Sequence, residues 1–391
     1  MKFLVVSDMF SLESWLIDGK EPEIMPAVYE FYKFLGNHSE HTFDAVIAHP
    51  NVNKVVEFPN GSKIYIYKLK VPIHYLRKFT SLRFLKRKAK YLLNSNVDYT
   101  HVYGMTIYAN VARELGKECN LTSVGRLFGS LIWDVLQKGQ WLKSKTRFHY
   151  QFREIKYPCD LTICTEDGTE FDKAINKFSA DSKVYMLYNG INKDLRQKLL
   201  SIPVVSNIDS SNEIRFCYIA RLTDWKRQDL ALDIIAQLKS KGLKVSLDIY
   251  GKGESEYRLK SRIQKLGLTK EVSIIGSIAH DQMPLILAGY QVAMFLYNAS
   301  NLGNSMWEAA LSGRLIVTRD TGKTTNIFNE KNAIIMFDEN TDQAVKDILE
   351  LVNHNFTLAQ ESRRTVHSLL PNWHDRLEEE MRLIGCMNVD E

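Results

Sequence analysis

Short apolar and β-branched runs alternate with helical stretches along the chain, and this alternation constrains the fold more than any other feature. Nearly continuous apolar runs are typical of parallel strands covered on both faces, and in the first half they lie at residues 3–7, 101–103, 161–165 and 184–188. Helix-like spacing lies between them at residues 107–119 and 171–178. The first half is therefore predicted to be an α/β domain with a parallel sheet.

The alternation restarts after residues 201–212, whose Ser, Asn, Asp and Pro content indicates a linker. The strands that follow are predicted at residues 214–219, 245–250, 272–275, 292–296, 315–318 and 334–337. Helices are predicted at residues 229–241, 254–266, 281–288, 305–311 and 342–352. This order predicts a second doubly wound sheet, with ligands bound just past the carboxyl ends of its strands.

Length and composition agree with two domains of this kind. The 391 residues are 45% hydrophobic and 25% charged, which are ordinary values for globular proteins and exclude collagen-like, coiled-coil and wholly disordered chains. We expect two Rossmann-like doubly wound α/β domains that face a cleft, because clefts between domains are frequent ligand sites. The first is assigned to residues 1–200 and the second to residues 201–370.

The chain carries no pattern that predicts export or a membrane span. The apolar part of the opening MKFLVVS ends at Asp8 without a small-residue cleavage site, and no apolar run approaches the ~20 residues that span a bilayer. The five cysteines show no Cys-x-x-Cys pairing, so neither a disulfide framework nor a zinc site is expected. These observations predict a cytoplasmic protein.

Arg221 and Lys226 follow the predicted strand at residues 214–219, on a turn that enters a helix. Two cations at such a place can converge on a diphosphate, with Arg as a forked donor and Lys as a point charge. The helix N-terminus would add to the attraction. A solvated turn is the other interpretation, and the sequence leaves both open.

The loop at residues 297–304 leads from a predicted strand into a helix. It can present the backbone N–H groups of Gly303, Asn304 and Ser305 to an anion. Glu308 lies about one turn into this helix, where a carboxylate suits two ribose hydroxyls better than a phosphate. The alternative is an ordinary helix capped by Asn304 or Ser305, with Glu308 near its positive end.

The order of these motifs resembles the nucleotide-sugar-binding domain of family 4 glycosyltransferases, which are retaining enzymes of the two-domain GT-B architecture. The resemblance covers residues 214–352 through ARLTDWKR, DIYGKGE, VSIIGSI and the block from NLGN to EAALSGRLIVTRDTG, and LYNGIN precedes the linker. It implies that Arg221 and Lys226 hold the donor diphosphate and that Glu308 holds the ribose. Further donor-binding residues are then Gly251, Gly276, Asn301, Leu302, Gly303, Asn304 and Ser305.

Two of these glycines, Gly251 and Gly276, have more specific interpretations. By itself, the Gly-x-Gly that begins at Gly251 is explained by a tight strand-to-helix turn that needs no ligand. The resemblance places the backbone near Gly276 against the nucleotide base.

The chain departs from the family where the transferred sugar and the acceptor would bind. The family has a second Glu eight residues before the ribose Glu, and Ser300 stands there instead. The His that often follows the central strand of the first domain is absent from GRLFG, where Arg126 and Phe128 stand. Residues on the acceptor side are assigned to Gly19, Arg126, Asp167, Gly168 and Thr169. The last three are equally explained as a capped strand-to-helix turn.

The mechanism implied by the resemblance is transfer with retention from a nucleoside-diphosphate sugar to a glycan or lipid-linked acceptor. No convincing Asp-x-Asp pair is present, so we expect no metal and no cofactor beyond the nucleotide sugar. Two alternatives stay open: a sugar-nucleotide epimerase of the same architecture, and a non-catalytic scaffold that binds a membrane or nucleic acid. An oxidoreductase is disfavoured because no complete Gly-x-Gly-x-x-Gly follows a first strand.

The net charge of +5 hides an asymmetry, because residues 60–97 contain ten Lys or Arg and no Asp or Glu. Within residues 68–93 these cations alternate with large apolar side chains such as Tyr75, Leu76 and Phe79 at helical spacing. A cationic face beside an apolar one suits an anionic membrane surface, here the inner membrane face near a lipid-linked acceptor. A core-facing helix is the other interpretation. No nucleic-acid partner is expected, since no recognised nucleic-acid fold surrounds the segment.

The last segment, residues 371–391, contains a Trp-x-x-Arg pattern formed by Trp373 and Arg376. It also resembles the family, whose last helix crosses back to the first domain. The resemblance therefore predicts that this helix closes the first domain, and a simple capped terminal helix is the alternative.

Overall fold

The structure is a computed structural model that describes residues 1–9, 12–20, 26–70, 77–95 and 98–388. The chain divides into two compact units. Unit 1 comprises Met1–Glu166, Glu170–Gly190 and Pro371–Glu391, and unit 2 comprises Asp167–Thr169 and Ile191–Leu370.

Unit 1 contains an eight-stranded sheet. Its strands are β1 (Lys2–Val6), β2 (Thr42–His49), β3 (Lys54–Glu57), β4 (Lys63–Lys68), β5 (His101–Met105), β6 (Thr122–Leu127), β7 (Leu161–Thr165) and β8 (Lys183–Leu187). They are arranged in the order β3-β4-β2-β1-β5-β6-β7-β8. All neighbouring pairs are parallel except β3 and β4, so the predicted α/β domain with a parallel sheet is confirmed, and the antiparallel edge is a feature that the sequence analysis did not predict. Residues 58–62 connect β3 to β4 as a hairpin, and only antiparallel strands can be joined by so short a connection.

Unit 2 contains a six-stranded sheet that is parallel throughout. Its strands are β9 (Ile214–Ile219), β10 (Val245–Tyr250), β11 (Val272–Gly276), β12 (Val292–Phe295), β13 (Leu315–Arg319) and β14 (Ile334–Met336). The order β11-β10-β9-β12-β13-β14 is the 3-2-1-4-5-6 order of the Rossmann fold. The six predicted strands are confirmed, and β9 and β10 have the predicted bounds.

Helices cover these sheets. In chain order they are α1 (Glu13–Asp18), α2 (Pro26–Asn37), α3 (Arg77–Ser95), α4 (Ala109–Cys119), α5 (Ile132–Gln137), α6 (Trp141–Thr146), α7 (His149–Lys156), α8 (Phe171–Asn176), α9 (Lys193–Leu200), α10 (Gln228–Ser240), α11 (Glu256–Lys265), α12 (Met283–Ala288), α13 (Asn304–Leu311), α14 (Asp342–Leu351), α15 (Leu358–Leu369) and α16 (Trp373–Gly385). Within the described ranges, none of them is long and apolar enough to cross a membrane.

Both faces of the central strands of the unit 1 sheet are buried, which explains why strands such as β1, β5 and β7 are nearly continuous in apolar residues. Alternate residues of β1 enter two separate core clusters: Phe3 and Val5 belong to one, and Leu4 and Val6 to the other. Helix α16 contributes Leu377, Met381 and Ile384 to the first cluster. The C-terminal segment therefore lies in the core of unit 1.

The LYNGIN segment contributes to each unit separately. In unit 1, Gly190 lies so close to α16 that an added Cβ would be 2.6 Å from the Trp373 Cα atom. In unit 2, Asn192 is the N-cap of α9, and its side chain accepts hydrogen bonds from the backbone N–H groups of Asp194 (2.9 Å) and Leu195 (3.2 Å). The small size of glycine and the capping ability of asparagine therefore explain this motif without a ligand.

Candidate functional site

The site predicted in unit 2 lies at the switch point of its sheet. Strands β9 and β12 are neighbours, and their connections leave toward opposite edges of the sheet. In open α/β sheets, a crevice outside the carboxyl ends of the strands at such a point is the usual ligand site. Arg221 and Lys226 follow β9, and the loop that leads to Glu308 follows β12.

The turn that carries Arg221 is supported by the Gly-x-Gly segment after β10. An added Cβ at Gly251 would lie 1.9 Å from the carbonyl oxygen of Ala220, and one at Gly253 would lie 2.2 Å from that of Leu222. Gly251 also has a φ of 141°, in the region that favours glycine. The glycines thus allow the turns after β9 and β10 to approach each other closely, as the tight-turn interpretation expects. Gly251 therefore packs against the turn that carries the exposed Arg221.

Gly276 ends β11 beside this turn. Its φ is 96°, and its carbonyl oxygen accepts a hydrogen bond of 2.8 Å from the Gly251 N–H. Gln228 fixes the turn from the other side, because its side-chain amide donates to the Arg221 carbonyl oxygen at 2.9 Å. The two predicted donor-binding glycines and Arg221 therefore belong to one hydrogen-bonded piece of backbone.

The Lys226 ammonium lies against two aromatic rings. Its Nζ atom is 4.0 Å from the ring centroid of Trp225 and 3.4 Å from that of Tyr297, within the range of cation–π attraction. Burial, which is the largest cause, and the positive charge of Arg221 together lower the pKa of Lys226 to about 7, and Asp167 opposes the shift. The solvated-turn interpretation therefore does not hold for Lys226, which is half-buried and desolvated.

The loop after β12 is held together by Asn301, which is fully buried. Its side-chain oxygen accepts from the Tyr297 N–H at 2.9 Å, and its amide nitrogen donates to the Arg319 carbonyl (3.2 Å) and the Thr321 hydroxyl (2.8 Å). Leu302 is buried beside it. The Asn301 side chain is thus engaged within the protein, so we expect it to shape the loop rather than contact the sugar directly.

Helix α13 begins at Asn304 with Gly303 as its N-cap, and no side chain caps it. The capping of this helix by Asn304 or Ser305, which the sequence left open, is therefore wrong, because both residues lie inside the first turn. An added Cβ at Gly303 would meet no atom within 4 Å, so the start of the helix is open on that side. A helix N-terminus without a side-chain cap suits an anionic ligand.

Glu308 is buried in α13 and is paired with a histidine that the sequence analysis missed. Its carboxylate lies 2.7 Å from the Nε2 atom of His280, which follows β11. The hydrogen bond to Glu308 raises the pKa of His280, and burial opposes the shift. Because 28 positions separate the two residues, no local pattern joins them.

The segment Asp167–Thr169 belongs to unit 2, although we assigned it to the first domain. Gly168 has a φ of 79°, and an added Cβ there would lie 2.6 Å from the Ser300 hydroxyl. That hydroxyl donates to the Asp167 carbonyl oxygen, and the Lys323 N–H donates to the Gly168 carbonyl oxygen at 3.1 Å. Ser300, the residue that departs from the family, therefore joins this segment to the loop after β12.

The capped-turn interpretation of this segment is only partly right. The Asp167 side chain accepts hydrogen bonds from the Thr169 N–H (3.0 Å) and hydroxyl (2.6 Å), as in a local turn. Helix α8, however, begins after Glu170 in a left-handed conformation and has no side-chain cap. Asp167 therefore shapes the turn without capping the helix.

Arg126, predicted on the acceptor side, is a buried member of an ion cluster in unit 1. Its Nε atom lies 3.6 Å from the Glu380 carboxylate of α16, which also pairs with Arg376 at 2.7 Å and accepts from the Tyr103 hydroxyl. The Arg126 guanidinium also lies 5.0 Å from the centroid of the Phe128 ring. Arg126 therefore links α16 to β6, and its guanidinium is buried rather than exposed to an acceptor.

Gly19 ends helix α1 in a left-handed conformation with a φ of 70°. Its N–H donates to the Trp15 carbonyl oxygen at 3.2 Å, and the Lys20 N–H donates to that of Ser14 at 3.0 Å. This is a common helix C-cap, and it accounts for the glycine. The acceptor-side role of Gly19 stays a prediction.

Residues 77–93 of the basic segment lie in helix α3, and Lys68 ends β4. Residues 71–76, which include Tyr75 and Leu76, lie outside the described residues. The apolar face of α3 packs on the core of unit 1 through Leu85, Ala89 and Leu93, so the core-facing interpretation is right for that face. Two of its cations are neutralised by glutamates of α4.

Four of the exposed residues of α3 form a stripe at a spacing of four residues: Phe79, Arg83, Arg87 and Tyr91. The two aromatic side chains are 47% and 68% exposed. The Arg83 guanidinium lies 4.2 Å from the centroid of the Phe79 ring. The exposed surface of α3 is therefore both cationic and aromatic.

Comparison with known proteins finds a family model that matches most of unit 2. Residues 205–366 match the family described as Glycosyl transferases group 1. The GtfA subunit of the UDP-N-acetylglucosamine–peptide N-acetylglucosaminyltransferase of Streptococcus gordonii is 26% identical over 154 residues, which are 38% of this chain and 30% of that protein. The poly(ribitol-phosphate) alpha-N-acetylglucosaminyltransferase of Staphylococcus aureus strain COL is 26% identical over 145 residues, 37% of this chain and 29% of that protein. The matched part thus spans under a third of either relative.

The fold extends over the whole chain. The sucrose-phosphate synthase of Thermosynechococcus elongatus is similar with a TM-score of 0.75 and 14% identity, and the match covers 100% of both chains. At this identity the likeness concerns the fold alone. The predicted GT-B architecture of two Rossmann-like domains is confirmed, whereas family 4 in particular stays a prediction.

Proposed function

Because residues 205–366 match the group 1 glycosyl transferases, we propose that the protein transfers a sugar from a nucleoside-diphosphate sugar to a glycan or lipid-linked acceptor. We propose further that it retains the anomeric configuration and needs no metal. The observation that carries the proposal is the arrangement at the switch point of unit 2, where two cations follow β9 and an uncapped helix start followed by a buried carboxylate comes after β12.

Each group at the switch point has a task in this reaction. Breaking the bond between the anomeric carbon and the diphosphate leaves a more negative leaving group. Arg221 and Lys226 would stabilise that charge together with the N–H groups at the start of α13, and electrostatic stabilisation of this kind is a large contribution to catalysis. Glu308 would accept hydrogen bonds from the ribose hydroxyls, with His280 holding its carboxylate in place.

The names of the two relatives support a first choice of donor. Both are N-acetylglucosaminyltransferases, and one is named for UDP-N-acetylglucosamine. We therefore propose UDP-N-acetylglucosamine as the donor to test first, and the acceptor is the class of hydroxyl-bearing glycans or their lipid-linked forms.

The test is a product assay with UDP-N-acetylglucosamine and a panel of other nucleotide sugars, with and without glycan acceptors. Transfer releases the nucleotide and glycosylates the acceptor, whereas an epimerase would convert the donor without any acceptor. We expect Lys226→Ala and Glu308→Gln to lower turnover steeply, while Lys244→Ala, an exposed cation before β10, leaves it unchanged. If no nucleotide sugar is consumed or bound, the non-catalytic scaffold is the better description.

A second proposal concerns the exposed stripe of α3. We propose that Phe79, Arg83, Arg87 and Tyr91 contact the anionic inner face of a membrane, which would bring a cytoplasmic enzyme to a lipid-linked acceptor. Flotation with vesicles of phosphatidylcholine and phosphatidylserine tests it at low and moderate salt. Binding should be lost in Arg83→Glu/Arg87→Glu and kept in the matched Lys241→Glu/Lys244→Glu variant of unit 2. Absence of binding by the unmodified protein at both salt concentrations would reject the membrane contact.

A further inference from the structure

The two rings around Lys226 form a corner. Trp225 and Tyr297 stand at 72° to each other with centroids 5.8 Å apart, and the ammonium lies 4.0 Å and 3.4 Å from the two centroids. Tyr297 is 4% exposed and Trp225 is half-buried. We call these two rings the aromatic seat of Lys226.

The seat is part of the same framework that shapes the loop after β12. The Asn298 N–H donates to the Trp225 carbonyl oxygen at 2.9 Å, and the Tyr297 N–H donates to the side chain of Asn301 at 2.9 Å. The Tyr218 hydroxyl of β9 donates to the Lys226 carbonyl oxygen. These bonds fix the backbones of Trp225, Lys226 and Tyr297, and the Tyr297 hydroxyl also donates to the Ile219 carbonyl oxygen at 3.4 Å. The fold therefore sets where the lysine and the two rings are attached.

The residue after Lys226 strengthens this arrangement. Arg227 has a φ of 51°, which is uncommon for a residue other than glycine. Its guanidinium is bound by Asp229 at 3.0 Å, by Asn298 at 3.1 Å and by Glu339. The left-handed conformation costs free energy in a residue other than glycine, and these contacts offset that cost.

The seat also changes the charge of the lysine. The two rings exclude water from the ammonium, and this desolvation lowers the lysine pKa even though the ring faces attract a cation. Of the charged groups nearby, Arg221 repels the ammonium and Asp167 attracts it. With a pKa of about 7, Lys226 is uncharged in about half of the protein molecules at neutral pH. A diphosphate favours the ammonium form, because only that form offers it a positive charge.

We propose that Trp225 and Tyr297 are positioning residues that hold Lys226 for the donor diphosphate and couple donor binding to the uptake of one proton by its amine. This inference rests on the function proposed above. The proton comes from the buffer and is added to the Nζ atom, and no other bond changes. Donor affinity should therefore fall as pH rises above 7, since the protein must first be protonated to bind.

The experiment is calorimetric titration of the full chain with UDP-N-acetylglucosamine at pH 6 and pH 8, in two buffers of different ionisation enthalpy. From a pKa of about 7, the expected uptake is about 0.1 proton at pH 6 and about 0.9 at pH 8, and the Kd rises about tenfold between them. Lys226→Arg should abolish the proton uptake by residue 226 at pH 8, because Arg stays charged. Any uptake that remains in this variant measures the contribution of His280 and is subtracted.

Two variants test the seat itself. Trp225→Gln admits water to the ammonium and should lower the uptake at pH 8, whereas Tyr297→Phe keeps the ring and should behave like the unmodified protein. Donor binding without proton uptake at pH 8, or an uptake that Trp225→Gln leaves unchanged, would overturn the proposal.

A measurement without nucleotide separates this proposal from the proposed function. The rate at which acetic anhydride labels Lys226, followed by peptide mass spectrometry, should titrate near pH 7 and shift toward the ordinary lysine range near 10.4 in Trp225→Gln. If UDP-N-acetylglucosamine fails to bind but labelling titrates near 7, the proposed donor is wrong and the seat stands. A midpoint near 10 in the unmodified protein would overturn the seat.

Discussion

The pair between His280 and Glu308 offers a direct test of the site through stability. The carboxylate is 4% exposed, the histidine side chain is 38% exposed, and the two groups lie 2.7 Å apart. A hydrogen bond between charged groups contributes about 1.5–3 kcal/mol when buried, and solvent screening at the histidine reduces this to about 1 kcal/mol. For a unit of this size, such a loss lowers Tm by about 2–4 °C.

The pH dependence follows from the direction of the pKa shift. The pKa of His280 is raised in the folded protein by its hydrogen bond to Glu308. The stabilisation is therefore fully present below the unfolded pKa of about 6.5, and it declines as pH rises through the raised value, because the attraction disappears with the proton.

A double-mutant cycle isolates this effect. We expect a coupling energy between His280→Ala and Glu308→Gln of about 1 kcal/mol at pH 6, measured by urea unfolding, and a clearly smaller one at pH 9. A coupling energy that is equal at the two pH values, or absent at both, would refute the pairing as described.

Three further predictions concern the backbone, the ion cluster of unit 1 and the metal. Gly251→Ala should destabilise the protein by about 1–3 kcal/mol in thermal unfolding and weaken donor binding, because its Cβ would lie 1.9 Å from a carbonyl oxygen. The matched control is Gly267→Ala, because Gly267 has a φ of 65° but open space around it, so this variant measures backbone strain alone. Glu380→Ala should cost about 3–5 kcal/mol in urea unfolding, since it leaves buried cations unpaired, whereas the neighbouring exposed Glu379→Ala should cost under about 1 kcal/mol. A chelator should leave sugar transfer unchanged, and activity that is lost with the chelator and restored by Mg²⁺ would contradict metal independence.

The elements of unit 2 were largely predictable because most of its strands are buried on both faces, with the edge strand β11 as the exception. A buried strand such as β9 is a continuous apolar run bounded by turn residues, so its limits are visible locally. Strands β2, β3, β4 and β6 of unit 1 were not predicted. Strand β4, with the sequence KIYIYK, lies next to the hairpin edge and alternates buried and partly exposed residues. Because it begins and ends with lysine, it is difficult to distinguish from the basic residues that follow it.

The candidate site was predictable in part, for a related reason. The cations after β9 and the loop after β12 stand out because each directly follows a buried strand, where ligands bind in α/β sheets. The partners of these residues were not predictable. The contact between Ser300 and Asp167 joins residues 133 positions apart, and the burial of Arg126 depends on a carboxylate from the last helix.

The sequence by itself thus determined the fold class, the strands of unit 2 and the positions where chemistry is concentrated, because burial leaves a periodic pattern within a few neighbouring residues. Only the tertiary structure decided the charge and surroundings of those residues. It packed Lys226 against Trp225 and Tyr297, paired Glu308 with His280, and turned the apolar face of α3 toward the core. These contacts form between loops that follow different strands, and the sheet order that brings such loops together is a property of the whole domain.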